Sequence, residues 1–386
     1  MSKISNLSKF YVFSFFSFIY FWIAISVPYL IFRGLSPKEA LGLIALYNLF
    51  SLFLEYPTGV IGDKFGHTKA LALSIIINVI ATIFLAQNML YGGYAIALLI
   101  YAFGNGLSSG NDMAVLNKIS SNVKRDSANY NSLIESTFFV SSIVGGLLVF
   151  WFGYQLTLYI NGILILIGYI PLLFLQIDKD KDEVSPENIF SIARAGFKNI
   201  LENPLLRLVM IVVALVGGLG FSVKNITNSF GVLYGVPITI IGTLIGVSAL
   251  LRAFGAKVYS HNTKITLSNP ILLLAGMILL IGIFNNVWVT AGMILISNIM
   301  FGMIGSIIDG HIHELSNDKV RASVFSFKRL VIRLIVSGYL MIIGYGIENN
   351  TFNVVMIGTA LVFFLLWFLT LKNIKELSSN KINLPY

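Results

Sequence analysis

Residues 55–66 read EYPTGVIGDKFG, and this stretch says more about the fold than any other part of the chain. A carboxylate, Glu55, and a proline, Pro57, lie inside a long apolar run, where a charge and a helix-breaking residue are both costly. A charged turn then closes the run, and its members are Gly59, Asp63, Lys64, Gly66 and Lys69. We interpret the stretch as the end of a membrane helix at the water boundary.

The composition indicates a membrane protein independently of that stretch. The chain of 386 residues is 56% hydrophobic and 11% charged, and its mean hydropathy is +0.85, which lies far outside the soluble globular range. The apolar runs are long and continuous rather than alternating, which favours membrane helices over a β-barrel. In such a water-poor protein we expect no enzyme activity.

The apolar runs predict an all-α membrane protein with twelve transmembrane helices in two pseudo-symmetric six-helix bundles. A helix needs about 20 apolar residues to cross the bilayer core, and twelve runs reach that length approximately. The predicted spans are residues 10–32, 38–61, 69–87, 92–116, 132–152, 155–176, 205–230, 237–258, 266–285, 287–312, 323–346 and 352–371.

The positive charges predict the orientation. Of the 26 Lys and Arg residues, Arg33 and Lys38 lie on the predicted outer side, and Lys224, Arg252 and Arg333 lie deeper within spans. The other 21 lie in alternate loops, at the ends of spans next to those loops, or at the termini, so the positive-inside rule places both termini in the cytoplasm. The formal net charge of +9 therefore reflects topology in the cell membrane, and we expect no nucleic-acid partner.

A polar stretch divides the spans into two sets of six. We predict an N-terminal bundle over residues 1–176, a cytoplasmic linker with a surface helix over 177–204, and a C-terminal bundle with a short tail over 205–386. The linker is interpreted as a tether, with a regulatory role as the alternative. Asp112 and Asp309, near the ends of spans four and ten, are each followed by Ser-Asn and then Arg, as expected for a duplicated unit.

The pattern G-x-x-x-D-[RK]-x-G at residues 59–66 resembles the signature loop between the second and third helices of the major facilitator superfamily. The preceding E-x-P-[ST]-G resembles a bacterial branch with many drug efflux proteins. His67 and Thr68 stand where the signature usually has basic residues. The resemblance implies a secondary transporter whose two halves rock around a central site. It also implies a conformational latch formed by Gly59, Asp63, Lys64, Gly66 and Lys69.

The first function that the resemblance implies is proton-coupled efflux of small apolar or cationic compounds, that is, a multidrug antiporter. Such exporters usually carry an arginine in the middle of span four and a Gly-Pro-x-x-Gly-Gly element in span five, whereas this chain has only the pair Gly145-Gly146. The alternative is therefore a transporter of one specific metabolite, which Lys224 and Arg333 would suit if it is anionic. A further alternative is a membrane sensor or scaffold without transport.

Ionisable residues within spans cost about 3 kcal/mol or more at the bilayer centre, so each is a functional hypothesis. In the superfamily, span two packs on span eleven and span five on span eight. We therefore predict two gate pairs, Glu55–Arg333 and Glu135–Arg252, which close the cytoplasmic side. Contact with water or with polar groups of the same half is the alternative for each charge. Glu55 is also a candidate proton carrier, because a carboxyl group in a low-dielectric medium binds protons more readily.

Spans one, four, seven and ten line the central cavity in this superfamily. The resemblance therefore predicts substrate contacts at Trp22, Asn105, Asp112, Lys224, Asn225 and Asn228. Other readings are helix packing for the polar residues of span four, lipid contact for the aromatic residues of span one, and snorkelling of Lys224 to the outer surface.

The expected partners are a small-molecule substrate, protons and the lipid bilayer, and we expect a monomer without a cofactor or metal. Nothing in the chain matches the nucleotide-binding pattern G-x-x-x-x-G-K-[ST]. His311 and His313 are two residues apart, so on a helix they point to different faces and do not form a metal site.

Overall fold

The computed structural model describes residues 5–175, 197–261, 265–316 and 321–380. Within those ranges the chain is helical apart from short connections. Seven of the described helices are long and apolar enough to cross a membrane, or eight if one bent pair is counted as a single span. The count of twelve crossings therefore stays a prediction, and interruptions within several predicted spans explain why fewer uninterrupted helices are found.

The described helices before residue 176 are α1 (Asn6–Ser17), α2 (Trp22–Phe32), α3 (Pro37–Phe65), α4 (His67–Leu85), α5 (Tyr91–Ser108), α6 (Asn111–Ile119), α7 (Val123–Ile167) and α8 (Tyr169–Leu173). After residue 203 the chain forms α9 (Pro204–Val212), a π-helical segment (Val213–Gly217), α10 (Gly218–Asn225), a 3₁₀ segment (Ile226–Ser229), α11 (Phe230–Tyr234), α12 (Ile238–His261), α13 (Ser268–Phe284), α14 (Val287–Leu315), α15 (Arg321–Glu348) and α16 (Phe352–Asn380).

Three predicted spans are interrupted. Span one is divided into α1 and α2, and span four is divided into α5 and α6 at Gly110, whose φ of +85° suits glycine. Spans five and six both lie within α7, where Gly153, with a φ of +76° and a ψ of 170°, breaks the helical geometry between them. Span seven changes from α to π and then to 3₁₀ geometry. A π segment inside a helix is frequent at functional sites.

Several long helices begin at side chains that accept hydrogen bonds from the first backbone N–H groups. At α3 the Ser36 hydroxyl accepts from the backbone N–H of Glu39, the Glu39 carboxylate accepts from the backbone N–H of Ser36, and Pro37 is the first residue. This arrangement is a capping box. Asparagine side chains cap α7, α9 and α14 in the same position, namely Asn122, Asn203 and Asn286.

Helix α3 bends by 44° at Pro57, within the stretch that resembles the efflux branch. Proline has no N–H to donate to the carbonyl oxygen four residues earlier, so it kinks a helix. The next residue stabilises the bend, because the Thr58 hydroxyl donates to the carbonyl oxygen of Leu54 at 2.6 Å and lies 3.1 Å from that of Glu55. The E-x-P-[ST]-G pattern thus describes a bent helix with Glu55 at the bend.

The described residues divide into two compact units. The first unit contains those up to residue 175 together with 228–249, and the second contains 197–227 together with 250–380. This division differs from the one expected from the linker, most of which lies outside the described residues. The bundle boundaries at 176 and 205 therefore stay a prediction.

The segment 228–249 packs into the first unit through glycines. A Cβ atom at Gly242 would lie 2.3 Å from the carbonyl oxygen of Ser142, and one at Gly146 would lie 2.9 Å from that of Ile238. Only glycine allows two helix backbones to come this close. Of the glycine pair that survives in predicted span five, Gly146 therefore packs against the start of α12, whereas a Cβ atom at Gly145 would meet Phe21.

The surfaces of the long helices carry large exposed apolar side chains. Phe150, Trp151 and Leu361 are 68%, 65% and 62% exposed. In a soluble protein such exposure is confined to small patches, whereas side chains that face lipid need no polar cover. Together with the apolar helices, this surface is that of a multi-pass membrane protein.

Candidate functional site

The predicted latch loop forms the tight connection between α3 and α4. Gly66 joins the two helices with a φ of +96°, which explains the glycine at the end of the signature. Asp63, Lys64 and Lys69 are exposed, and the Lys64 ammonium lies 5.6 Å from the centre of the Phe65 ring. The latch role of this loop stays a prediction.

The tightest contact of the loop is made by a residue that the sequence reasoning missed. A Cβ atom at Gly62 would lie 1.9 Å from the Asn111 side-chain oxygen, whereas one at Gly59 would meet nothing within 4 Å among the described residues. The Asn111 oxygen also lies 2.7 Å from His67 Nδ1. His67 stands where the signature usually has a basic residue, so in this chain that position ties α4 to α6. Gly62, three residues after Gly59, was the signal in the sequence for this contact, because residues three apart on a helix lie on the same face.

The predicted gate residues lie in different units. Glu55, at the bend of α3, is half-buried and Glu135 on α7 is exposed, while Arg252 on α12 and Arg333 on α15 are half-buried. Arg252 donates to the side-chain oxygen of Asn298 at 3.2 Å. Because each predicted pair joins residues of two separate units, both gate pairs stay predictions.

Asn105 on α5 is the centre of a hydrogen-bonded cluster in the first unit. Its side-chain oxygen accepts from the Tyr20 hydroxyl at 3.0 Å and from the Asn78 amide at 3.2 Å, and its amide donates to the Tyr47 hydroxyl at 2.9 Å. Four predicted spans therefore meet at one amide. We call Tyr20, Tyr47, Asn78 and Asn105 the Asn105 cluster.

The Asn105 cluster has hydrogen-bonding capacity to spare. An asparagine amide has two N–H donors and a tyrosine hydroxyl has one O–H donor. The O–H of Tyr47 has no acceptor among the described residues, whereas a side-chain hydrogen bond also joins Asn105 to Tyr101. Tyr47 is half-buried rather than fully enclosed, so its donor can reach a bound molecule.

Aromatic rings surround the cluster. The Tyr20 ring is stacked on Phe138 with 6.2 Å between centres, and its centre lies 6.0 Å from Tyr101 and 5.9 Å from Phe18 in edge-to-face contacts. Trp22, a predicted cavity residue, instead packs its ring against Tyr29 at 5.9 Å and is 7% exposed. The structure thus brings Asn105 together with Tyr20 and Phe18 but does not bring Trp22 to them.

Asp112, the second predicted cavity residue of span four, is hydrogen-bonded within its own unit. Its carboxylate accepts from the Tyr130 hydroxyl of α7 and, at 2.7 Å, from the backbone N–H of Met113. Asp112 lies in the first turn of α6, where the positive end of the helix dipole favours an acid. These contacts fasten α6 to α7.

In predicted span seven the three substrate-contact candidates have different surroundings. The side chain of Lys224 lies outside the described part of the structure. The Asn225 amide donates to the carbonyl oxygen of Phe221 at 2.9 Å. The side-chain oxygens of Asn228 and Ser229 are buried and have no hydrogen-bond partner among the described residues. Buried polar atoms of this kind usually bind water or a ligand.

A cavity of about 200 Å³ lies in the second unit, between the π segment, α10, α12, α14 and α15. Most of its walls are apolar. Its lining consists of Val213, Val216, Gly217, Gly220, Phe221, Arg252, Phe301, Ile304, Gly305, Ile308, Lys328 and Ile332. Of the described residues that line it, two are cationic and none is acidic.

The two cations of this cavity have different partners. Arg252 donates to Asn298, which is fully buried. The Lys328 ammonium donates to the Asp309 carboxylate, and the Lys328 side chain is 17% exposed whereas that of Asp309 is 48% exposed. The sequence indicated neither Lys328 as a site residue nor the cavity itself, because residues from five segments form the cavity.

Comparisons with known proteins agree with this architecture. Residues 10–337 match the sequence model of the Major Facilitator Superfamily. No curated sequence matches the chain.

Solved structures show the same fold over nearly the whole chain. A mutant of the nucleoside transporter NupG has a TM-score of 0.79 at 15% identity, covering 95% of this chain and 99% of that one. A POT family transporter in complex with 5-aminolevulinic acid has a TM-score of 0.77 at 13% identity, covering 95% of both chains. A bacterial homolog of the human lysosomal transporter Spinster, inward-facing and unoccupied, has a TM-score of 0.75 at 13% identity, again covering 95% of both.

Proposed function

The chain belongs to the major facilitator superfamily, and on that premise we propose that it is a secondary active transporter of a small polar solute. We base this choice on the Asn105 cluster, in which the O–H of Tyr47 has no acceptor among the described residues. Such a donor suits a solute with carbonyl, carboxylate or hydroxyl oxygens.

The chemistry of the cluster favours a polar solute over a purely apolar drug. Ligand sites are mostly apolar, with a few polar groups that fix the orientation of the ligand. A hydrocarbon bound here would leave the donor of Tyr47 unsatisfied, at about 1–3 kcal/mol for a buried group. The rings of Tyr20, Phe138 and Tyr101 give the same place a flat aromatic wall, which suits a solute that contains a planar group.

The compared structures support a polar solute in a limited way. One is a nucleoside transporter and another is a complex with 5-aminolevulinic acid, and nucleosides and 5-aminolevulinic acid are polar molecules. At 15% and 13% identity the likeness concerns the fold, so the choice of solute rests on the residues of this chain.

The remaining parts of the transport cycle are proposals of the same kind. We propose that the monomer works by alternating access in the cell membrane with both termini in the cytoplasm. The loop of Gly59, Asp63, Lys64, Gly66 and Lys69 acts as a latch, and the pairs Glu55–Arg333 and Glu135–Arg252 act as gates. Charge exchange between Glu55 and Arg333 should restore what either single change loses, and a double variant no better than the single ones would refute that gate.

Transport is tested with the purified chain in liposomes. Uptake of labelled uridine, a dipeptide, benzoate and ethidium is measured in parallel. We expect one of the polar solutes to be taken up, and the Tyr47→Phe variant to raise its KM by about tenfold, which corresponds to the loss of one hydrogen bond. The matched control is Tyr91→Phe, because Tyr91 is exposed and lies outside the cluster. Uptake of ethidium alone, or an unchanged KM in Tyr47→Phe, would overturn the proposal.

Proton-coupled efflux is the second candidate, and Glu55 is the observation that favours it. This carboxyl group lies at the 44° bend of α3, inside an apolar helix, and is half-buried. Inverted membrane vesicles with a respiration-driven pH gradient provide the test. Collapse of the gradient when a drug is added, absent in Glu55→Gln, would establish efflux coupled through Glu55, and collapse with a polar solute would join proton coupling to the first proposal.

A further inference from the structure

The cavity of the second unit is cationic and lies within apolar walls, and we infer that it binds the carboxylate group of a small organic anion through Arg252 and Lys328. This inference rests on the proposed function and makes it more specific, because it assigns the polar solute to the class of organic carboxylates. Both cations line the cavity, together with isoleucine and phenylalanine side chains and glycines.

Cations are costly in a cavity with apolar walls. A charge within an apolar environment is stable only when it is paired and hydrogen-bonded. The guanidinium group of Arg252 has five N–H donors arranged to bind a carboxylate with two of them. Asn298 holds this group at 3.2 Å and is itself fixed, because its amide donates to the carbonyl oxygen of Ile294 at 2.8 Å. The arginine is thus positioned before a ligand arrives.

Without a ligand, the Asp309 carboxylate supplies the negative charge next to Lys328. Asp309 bonds Lys328 but does not line the cavity. Its side chain is 48% exposed whereas that of Lys328 is 17% exposed. The acid can therefore return to water at little cost, whereas the ammonium cannot. A carboxylate that enters the cavity replaces Asp309 at Lys328, and the aspartate is rehydrated.

The size and walls of the cavity limit the ligand. A volume of about 200 Å³ is smaller than the roughly 300–1,000 Å³ of pockets that hold drug-sized ligands. The apolar walls favour a hydrocarbon or aromatic body next to the carboxylate. Benzoate has this combination of one carboxylate and a compact apolar ring.

The geometry of predicted span seven supports the same place independently. Val213, Val216 and Gly217, which line the cavity, all belong to the π segment. A π segment widens a helix and leaves backbone geometry that ordinary packing does not need, and such segments are frequent at functional sites. Here the widened turn faces the two cations.

The test is equilibrium binding of labelled benzoate to the full chain, purified in a neutral detergent. We expect saturable binding of benzoate and none of benzamide, its neutral counterpart. Lys328→Gln should weaken binding by at least about tenfold, as expected for a hydrogen bond between charged groups, while Lys328→Arg should retain it. Lys257→Gln is the matched control, because Lys257 is an exposed cation on the same helix as Arg252.

The variant Asp309→Asn separates a binding role from a structural one. If the ligand displaces Asp309, removing its charge should tighten benzoate binding by up to about fivefold, as expected for a half-exposed ion pair. An ion pair that only supports the fold would give unchanged or weaker binding, and that result would overturn the exchange of partners at Lys328. Equal binding of benzoate and benzamide would overturn the anion site itself.

An anionic lipid headgroup is the other possible source of a negative charge at this cavity. Binding is therefore repeated in nanodiscs of phosphatidylcholine, without and with added phosphatidylglycerol. Unchanged benzoate affinity supports a soluble carboxylate, and loss of benzoate binding with phosphatidylglycerol would overturn it in favour of a lipid site. Uptake of a neutral solute without benzoate binding would refute the carboxylate class and leave the proposed function standing. Benzoate binding without uptake of any solute would support the carboxylate site and refute the proposed transport function.

Discussion

Asp112 in the first unit and Asp309 in the second occupy corresponding places, yet they have different partners. Asp112 accepts a hydrogen bond from Tyr130, 18 residues later, and Asp309 accepts one from Lys328, 19 residues later. Each bond runs from an acid near the end of one predicted span to a side chain near the start of the next long helix. The two places therefore have an acid at nearly the same spacing from its partner, but the partner is a neutral hydroxyl in the first unit and a cation in the second.

The surroundings of the two pairs differ as much as the partners. Tyr130 is 2% exposed and is packed by the rings of Phe10 and Phe18, so the first pair is enclosed on the tyrosine side. In the second pair the acid is half-exposed and the cation lines a cavity. In the first unit the acid holds two helices together. In the second unit the acid lies where a ligand carboxylate can replace it.

Both units also use glycine to bring equivalent helices together, but the neighbouring atoms differ. In the first unit, Cβ atoms at Gly62 and Gly106 would meet the side chains of Asn111 and Thr58. In the second unit, a Cβ atom at Gly302 would lie 2.0 Å from the carbonyl oxygen of Arg252, and one at Gly255 would lie 2.0 Å from that of Ile299. A side chain can rotate away from a new methyl group and a helix backbone cannot. The crossing of the second unit should therefore tolerate less change.

The largest effect is expected for Gly302→Ala. Its methyl group would collide with backbone atoms, so α12 and α14 would have to separate, at a cost of about 3 kcal/mol in the free energy of unfolding. Gly106→Ala meets the end of the Thr58 side chain at 2.8 Å and should cost about 1 kcal/mol. Thermal unfolding of both variants in one detergent measures the difference. Equal losses would show that the two crossings are packed alike.

The sequence predicted the features of the fold that depend on composition and local pattern. Apolar runs of about 20 residues predict membrane helices, and all-helical structure, family and membrane class followed from them and from residues 59–66. The count of twelve helices stays a prediction. The break at Gly110 within predicted span four was not predicted, because such a break arises where tertiary packing bends a helix. A glycine in an apolar run is compatible with a kink in the helix and with a close contact between two helices, and the sequence alone does not distinguish them.

The candidate site was harder to predict than the fold. The sequence identified Asn105 and Arg252 because polar residues in spans are rare. Their partners Tyr47 and Asn298 were not identified, since a tyrosine or asparagine in a span also serves in packing. The pairing of Lys328 with Asp309 depends on how two helices rotate about their axes, and a single sequence carries little information on that rotation.

The second expected effect concerns the enclosed pair. Tyr130→Phe removes the donor to Asp112 and leaves the carboxylate with the N–H of Met113, so we expect a loss of about 1–3 kcal/mol in the free energy of unfolding. Tyr345→Phe, at a side chain that is 55% exposed, is the control and should change stability little. If Tyr130→Phe is as stable as the control, the first pair does not fasten the fold.

The third effect concerns the exchangeable pair and should be smaller. Lys328→Met removes a cation from apolar walls and leaves Asp309 half-exposed, where water can solvate it. Replacing a mostly buried charge with an apolar side chain of similar size is often neutral or stabilising, so we expect a change of about 1 kcal/mol or less in either direction. Chemical unfolding in mixed micelles measures it. A loss as large as that of Tyr130→Phe would mean that both units use the acid as a fastening.

The smallest effect is expected at the first glycine of the signature. A Cβ atom at Gly59 meets nothing within 4 Å among the described residues, and glycine inside a helix is about 0.5–1 kcal/mol less favourable than alanine. Gly59→Ala should therefore raise the free energy of unfolding by about 0.5 kcal/mol, whereas Gly62→Ala should lower it, because its methyl group displaces Asn111 from His67. Thermal unfolding and uptake are measured together for both variants. A Gly59→Ala protein that is more stable but transports less would show that this glycine serves a second conformation, whereas lower stability would show that it is needed for packing in this one.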